Sequence, residues 1–177
     1  MKTSFIFKSF FAAFVLFASA ALVSCEKENE TPESEASKPA AVSFKYTNYE
    51  TEDMLEYCNI VIEYTDVNGT KVETITATSW TKEFVTSLPC SYSFKKTYTL
   101  KADKDVASVE KIQFGKRMYA YSWEILDANG NKTNKSSFGG TSSSMTTSGS
   151  KIAEQVPTGR LDAVTTFTFD KDGNEVK

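Results

Sequence analysis

Ser91-Tyr92-Ser93-Phe94-Lys95-Lys96-Thr97-Tyr98-Thr99-Leu100-Lys101 decides the fold. Tyr92, Phe94, Tyr98 and Leu100 alternate with Ser93, Lys95, Thr97 and Thr99, a period of two that puts one apolar and one polar face on an extended chain. Lys96 alone interrupts the apolar face. Tyr57 to Tyr64 repeats the pattern, with Cys58, Ile60, Ile62 and Tyr64 on one face and Asn59, Val61 and Glu63 on the other. Each stretch reads as a half-buried strand.

Five further segments are rich in β-branched and aromatic residues: Val42 to Tyr49, Thr70 to Thr78, Lys111 to Phe114, Arg117 to Leu126 and Asp162 to Phe169. About seven strands result. Asp66-Val67-Asn68-Gly69, Asp127-Ala128-Asn129-Gly130 and Asp170-Lys171-Asp172-Gly173 end in Asn-Gly or Asp-Gly, the chemistry of tight turns. Asp170-x-Asp172 also starts like a calcium loop, but Gly173 is fourth where such a loop needs glycine sixth, and no glutamate falls at position twelve. Helix is scarce: Thr51 to Leu55 allows one turn, and Lys151 to Val156 suits a short helix or an edge strand. Short strands without long alternating helices predict an all-β, antiparallel sandwich, immunoglobulin-like or fibronectin-III-like, over residues 42–177. Trp80 follows Cys58 by 22 residues, farther than in antibody domains.

At the N-terminus, Lys2 and Lys8 precede a run from Phe10 to Val23 whose only polar member is Ser19. Fourteen residues are too few to cross a hydrocarbon core as a helix, which needs roughly 20. Residues 1–24 therefore read as a signal peptide. Leu22-Val23-Ser24-Cys25 resembles a bacterial lipobox, which implies lipid attachment to Cys25 and a membrane-anchored protein. Residues 25–41 carry five Glu, two Lys and two Pro with almost nothing to bury, the composition of a disordered tether. Glu26-Lys27-Glu28-Asn29-Glu30 resembles the export signals of Bacteroidota lipoproteins, which implies an outer-membrane lipoprotein at the cell surface; a periplasm-facing site is the alternative. Val61 to Pro89, with Tyr64-Thr65-Asp66-Val67-Asn68-Gly69, Trp80 and Leu88-Pro89, is similar to a group of small Bacteroidota lipoproteins of unknown function. That resemblance carries no catalytic residue onto this chain.

Composition narrows the function. The 177 residues include no His, which excludes His-based catalysis and most mixed zinc sites. Beyond the signal segment, 18 basic face 23 acidic side chains, a balance unsuited to nucleic acid. Hydrolase, nucleotide and metal motifs are missing, so no cofactor is expected. Glu50, Glu52 and Asp53, like Asp103 and Asp105, read as solvated loop charges. Cys58 and Cys90 share the parity of their apolar faces and could form a disulfide in an oxidising envelope, or stay two buried thiols. Tyr119, Tyr121 and Trp123 alternate on one face: a stacking row for a glycan, or core. Asn129 to Ser150, where 18 of 22 residues are Ser, Thr, Gly or Asn, reads as a binding loop or mobile filler, with Phe138 and Met145 its only apolar anchors. These readings predict a non-catalytic module engaging an envelope protein; a carbohydrate-binding module and, more remotely, a small hydrolase are the alternatives.

Overall fold

The structure is a computed structural model and describes residues 38–176; the signal segment, Cys25 and the acidic stretch as far as Ser37 lie outside the described residues. The described chain runs β1 (Pro39–Tyr49), α1 (Glu52–Tyr57), β2 (Cys58–Asp66), β3 (Gly69–Ile75), β4 (Ser79–Ser87) and β5 (Cys90–Leu100). After a 3-10 turn at Val106–Ser108 come β6 (Ile112–Phe114), β7 (Tyr119–Asp127), β8 (Lys132–Thr141), β9 (Met145–Thr147), α2 (Gly149–Gln155), β10 (Ala163–Phe169) and β11 (Glu175–Val176).

The strands form an antiparallel sandwich. A four-stranded sheet in the order β4-β1-β7-β8 faces a five-stranded sheet, β11-β10-β5-β2-β3, and β6 pairs with β9 apart from both. Alternation fixes which side chains meet between the layers, because a one-residue slip would turn every apolar group outward. Val42, Phe44 and Tyr46 of β1 are buried, whereas Lys45 and Tyr49 are exposed. Phe44 stacks on Tyr92 of β5 with centroids 4.6 Å apart and meets Phe167 of β10 at 4.9 Å. Tyr46 stacks on Phe94 at 3.9 Å. Truncating a ring so enclosed costs about 3–5 kcal/mol.

The expected class is present, with more strands than expected. β1 begins at Pro39, three residues before the expected start at Val42. Ser79–Ser87, not among the expected strands, is β4, whose Trp80 and Phe84 turn inward against Tyr64 and Phe44. The largest correction concerns the polar tract 129–150. It is no irregular loop: Lys132–Thr141 is the edge strand β8, Met145–Thr147 is β9, and Gly149 opens α2. β8 holds its place by pairing with β7 across a glycine surface. A Cβ on Gly139 would lie 2.8 Å from the Tyr121 hydroxyl, and Gly140, at φ +147°, sits where a Cβ would strike the Tyr119 carbonyl oxygen. Lys151 to Val156 falls in α2 and its C-cap, and so is helix instead of edge strand.

Local chemistry closes the connections as expected. Asp66 accepts the backbone N–H of Asn68 at 2.7 Å, Asp127 that of Asn129 at 2.8 Å and Asp170 that of Asp172 at 2.9 Å. Such Asx bonds replace the ladder partners that a turning chain loses. Thr51 caps α1 by accepting from Met54 N, and its hydroxyl donates to the Gln113 carbonyl at 2.6 Å, while the Asp53 carboxylate accepts from Gln113 N at 2.6 Å. α1 thereby ties the end of β1 to β6 and drives Met54, 1% exposed, into the core.

Candidate functional site

Strand register lines up the outward side chains of the four-stranded sheet in rows. Glu83 of β4 pairs with Lys45 of β1, Lys45 with Ser122 of β7, and Ser122 with Phe138 of β8. The neighbouring row runs Val85, Ser43, Glu124, Ser136, and the next Thr81, Thr47, Ala120, Gly140. The two central strands contribute Ser43, Thr47, Ala120 and Ser122 to this face together with the longer Lys45 and Glu124, and Glu83, Val85 and Phe138 stand on the edge strands. Phe138 is 86% exposed and Val85 70%.

Between those edge strands lies a depression of about 330 Å³ whose walls include Lys45, Glu83, Ser122, Glu124, Ser136 and Phe138. A second, of about 300 Å³, continues from Phe138 past Thr47 to Tyr49. The charges around them are paired. Lys45 Nζ is 2.9 Å from Glu83 Oε1, and Lys132 Nζ is 2.7 Å from Glu124 Oε1. Solvated pairs of this kind contribute at most about 1 kcal/mol to folding. They do leave the face without a strong field of either sign.

Most of the residues singled out from the sequence lie elsewhere. Tyr119, Tyr121 and Trp123 occupy the inward face of β7: Tyr119 stacks on Tyr46 at 5.7 Å, Tyr121 meets Phe167 at 4.7 Å, and Trp123 meets Phe169 edge-on at 5.3 Å. The row is core, so it is not a flat platform open to a sugar. Pairing with β8 turned the opposite face of β7 outward, and of the tract's two anchors Phe138 stands on that face.

Cys58 and Cys90 are both buried and both free. Antiparallel pairing sets Cys58 opposite Leu100, at the far end of the strand that Cys90 begins. Ten residues of strand separate the two positions by roughly 33 Å, against the Cα separation of less than about 7 Å that a disulfide requires. Shared parity was a correct reading of their burial and said nothing of distance along the strand. Burial pushes the Cys58 thiol up to about 11, with the Glu50 carboxylate adding to the effect.

Glu50 is the second correction. It is 5% exposed, not a solvated loop charge, and it organises the one cluster of buried charge among the described core residues. Glu50 Oε1 accepts from Lys96 Nζ at 2.6 Å and from Asn48 Nδ2 at 2.9 Å, and Tyr98 donates to Oε2 at 3.1 Å. Asn48 is 2% exposed and Lys96 5%. Burial pulls the Lys96 ammonium below the usual lysine range, against the opposing pull of Glu50. Burial raises the Tyr98 phenol, and the Glu50 charge raises it further. A cavity of about 10 Å³, room for one water, adjoins Asn48 and Lys96 beside Arg117 and Met118. Lys96, the lone polar residue on an apolar face, was the signal in the sequence; its partner on another strand was not visible there.

Among the described residues no group of three or more Cys, Asp or Glu is placed to hold a metal ion, and no helix is long and apolar enough to cross a membrane. Fold and surface define an all-β sandwich whose four-stranded sheet carries an exposed phenylalanine on its outward face. No protein-family model, no curated protein and no solved structure matches the chain.

Proposed function

We propose that this protein is a lipid-anchored, non-catalytic binding module of the bacterial outer membrane, held through Cys25 and facing the cell exterior. It engages an envelope protein through the outward face of β4-β1-β7-β8. One observation carries the reading: Phe138, in the middle of β8, is 86% exposed beside a depression of about 330 Å³. A large apolar ring loses hydration free energy by standing in water, and contact with a partner recovers about 2 kcal/mol or more. The anchor rests on the lipobox resemblance at Leu22 to Cys25, and the outward address on the acidic stretch after it.

A second reading, glycan capture, is favoured by the lining of the same depression, where Ser122 and Ser136 supply hydroxyls beside Phe138 and the flanking charges are internally paired. Neutral polar ligands suit such a surface. A glycan array and an envelope-protein binding assay, each run with the full chain and with Phe138→Ser, separate the two. The protein reading expects loss of protein binding in the variant and no array signal. Binding unchanged by Phe138→Ser in both assays removes the face from the account. Metabolic palmitate labelling of the parent and Cys25→Ser tests the anchor, with equal label in both ruling it out.

A further inference from the structure

The interior holds an amine, a carboxamide and a carboxylate in one closed cluster, and its arrangement is that of reactants. Lys96 lies on β5 of one sheet and Asn48 on β1 of the other. Lys96 Nζ at 2.6 Å and Asn48 Nδ2 at 2.9 Å both contact the same oxygen, Glu50 Oε1. We propose that Lys96 and Asn48 become joined by an intramolecular amide bond that crosses the sandwich, formed within the folded chain with Glu50 as the proton carrier.

The step balances without any co-reactant. Glu50 takes a proton from the Lys96 ammonium, leaving a neutral amine whose lone pair attacks Asn48 Cγ. The Nζ–Cγ bond forms and a tetrahedral centre results. Glu50 returns a proton to Nδ2, the Cγ–Nδ2 bond breaks, and ammonia leaves. The second Nζ proton passes by way of Glu50 to the departing ammonia, which leaves as ammonium, and Glu50 ends as the carboxylate it began as. The lysine ammonium and the asparagine carboxamide become a secondary amide plus an ammonium ion, with no oxidation or reduction.

Three features of the site favour this course. The environment disfavours charge on Lys96, as its lowered pKa reflects, so the reactive neutral amine is accessible. Enclosure replaces an encounter between two flexible side chains by a fixed approach, which is the largest advantage that proximity offers. Water is nearly excluded, the adjoining cavity holding about one molecule, so hydrolysis does not compete. Asn48 is the acceptor in preference to Glu50 because a neutral carboxamide resists nucleophilic attack less than a carboxylate anion does. Tyr98, donating to Glu50 Oε2 at 3.1 Å, orients the proton carrier. The product would link the two sheets covalently, which Cys58 and Cys90, both on the five-stranded sheet, could not do at any separation.

The test is a tryptic map of the full chain, unfolded before digestion, read by mass spectrometry. Trypsin does not cut after an acylated lysine. The proposal expects residues 46–71 and 96–101 to appear as one species, lighter than the two peptides together by one ammonia, and expects that species to vanish in Glu50→Gln. Recovery of 46–71 and 97–101 as separate peptides in full yield from the parent chain overturns it. So does a linked species lighter by one water, which would place the bond on the Glu50 carboxyl. Because the decisive map uses the unaltered chain, failure of a variant to fold leaves the result intact.

Discussion

Lys96 Nζ lies 2.6 Å from Glu50 Oε1 between the two sheets, with 6% and 0% of the respective side chains exposed. A charge in that position is tolerable only while its partner remains. Removing one member of a buried pair costs about 3–5 kcal/mol, whereas replacing both by apolar groups of similar volume is often close to neutral. Measured against parent chain in which the Lys96 amine is still free, Lys96→Met is therefore expected to lower stability by about 3 kcal/mol or more, and Lys96→Met combined with Glu50→Leu to recover a large part of that. Denaturant midpoints of the parent and the two variants check the prediction. A double variant no better than the single one would show that the cluster acts through something other than its charges.

The cysteines yield a redox prediction. Free thiols at opposite ends of β5 make stability indifferent to reductant, so the melting temperature is expected to be the same with and without it. A thiol-reactive dye is expected to label Cys58 and Cys90 in the unfolded, unreduced chain. In the folded chain Cys58 should react slowly at pH 8, because burial holds its thiol at about 11 and the thiolate is the reactive form. A reductant-dependent drop in the melting temperature would contradict the assignment.

β8 separates shape from binding. Gly140→Ala places a Cβ against the Tyr119 carbonyl oxygen at φ +147°, and is expected to cost about 2–3 kcal/mol by breaking the β7 pairing. Phe138→Ser, at a ring 86% exposed, is expected to change stability by no more than about 0.5 kcal/mol. Deleting residues 136–148 removes most of β8 and all of β9, so it destabilises, the opposite of what filler would do. Thermal melts of the three variants give the ordering directly.

Acid stability has one identifiable contributor on the hairpin formed by β2 and β3. Glu73 accepts from Trp80 Nε1 at 2.9 Å and from the Tyr64 hydroxyl at 2.8 Å, and Lys82 Nζ lies 2.7 Å away. The Lys82 bond comes first among the causes that lower its carboxyl from 4.5 to about 2. A depressed carboxyl stabilises the fold above its unfolded value and loses that contribution as pH falls through the folded one. Glu73→Gln is accordingly expected to flatten the acid limb of the stability curve between about pH 4.5 and pH 2, which denaturant titrations across that window measure.

Legibility in the sequence followed locality. Period two in Tyr57 to Tyr64 and Ser91 to Lys101 exposed β2 and β5, because a strand half-buried against one core writes its orientation into alternate residues. β4 carries the same alternation through Trp80, Lys82 and Phe84, yet it follows β3 with only three residues between, so a strand expected over Thr70 to Thr78 covers the connection and hides the start of β4. β8 had no such signal. Its Ser, Gly and Asn have little intrinsic strand preference, and pairing along β7 supplies the order that composition does not. The outward face was hidden for a related reason, since Glu83, Lys45, Ser122 and Phe138 come from four strands and meet only through register. Glu50 and Lys96, 46 residues apart, are likewise joined by the sandwich alone.

The central claim, that the four-stranded sheet presents a binding face, is tested most directly by photo-crosslinking on intact cells that make the full chain. A benzophenone side chain replaces Phe138 in one strain and Val164, 54% exposed on the other sheet, in a second. The account predicts a discrete light-dependent adduct from position 138 and none from position 164. No adduct from position 138, or adducts of equal yield from both, would contradict it.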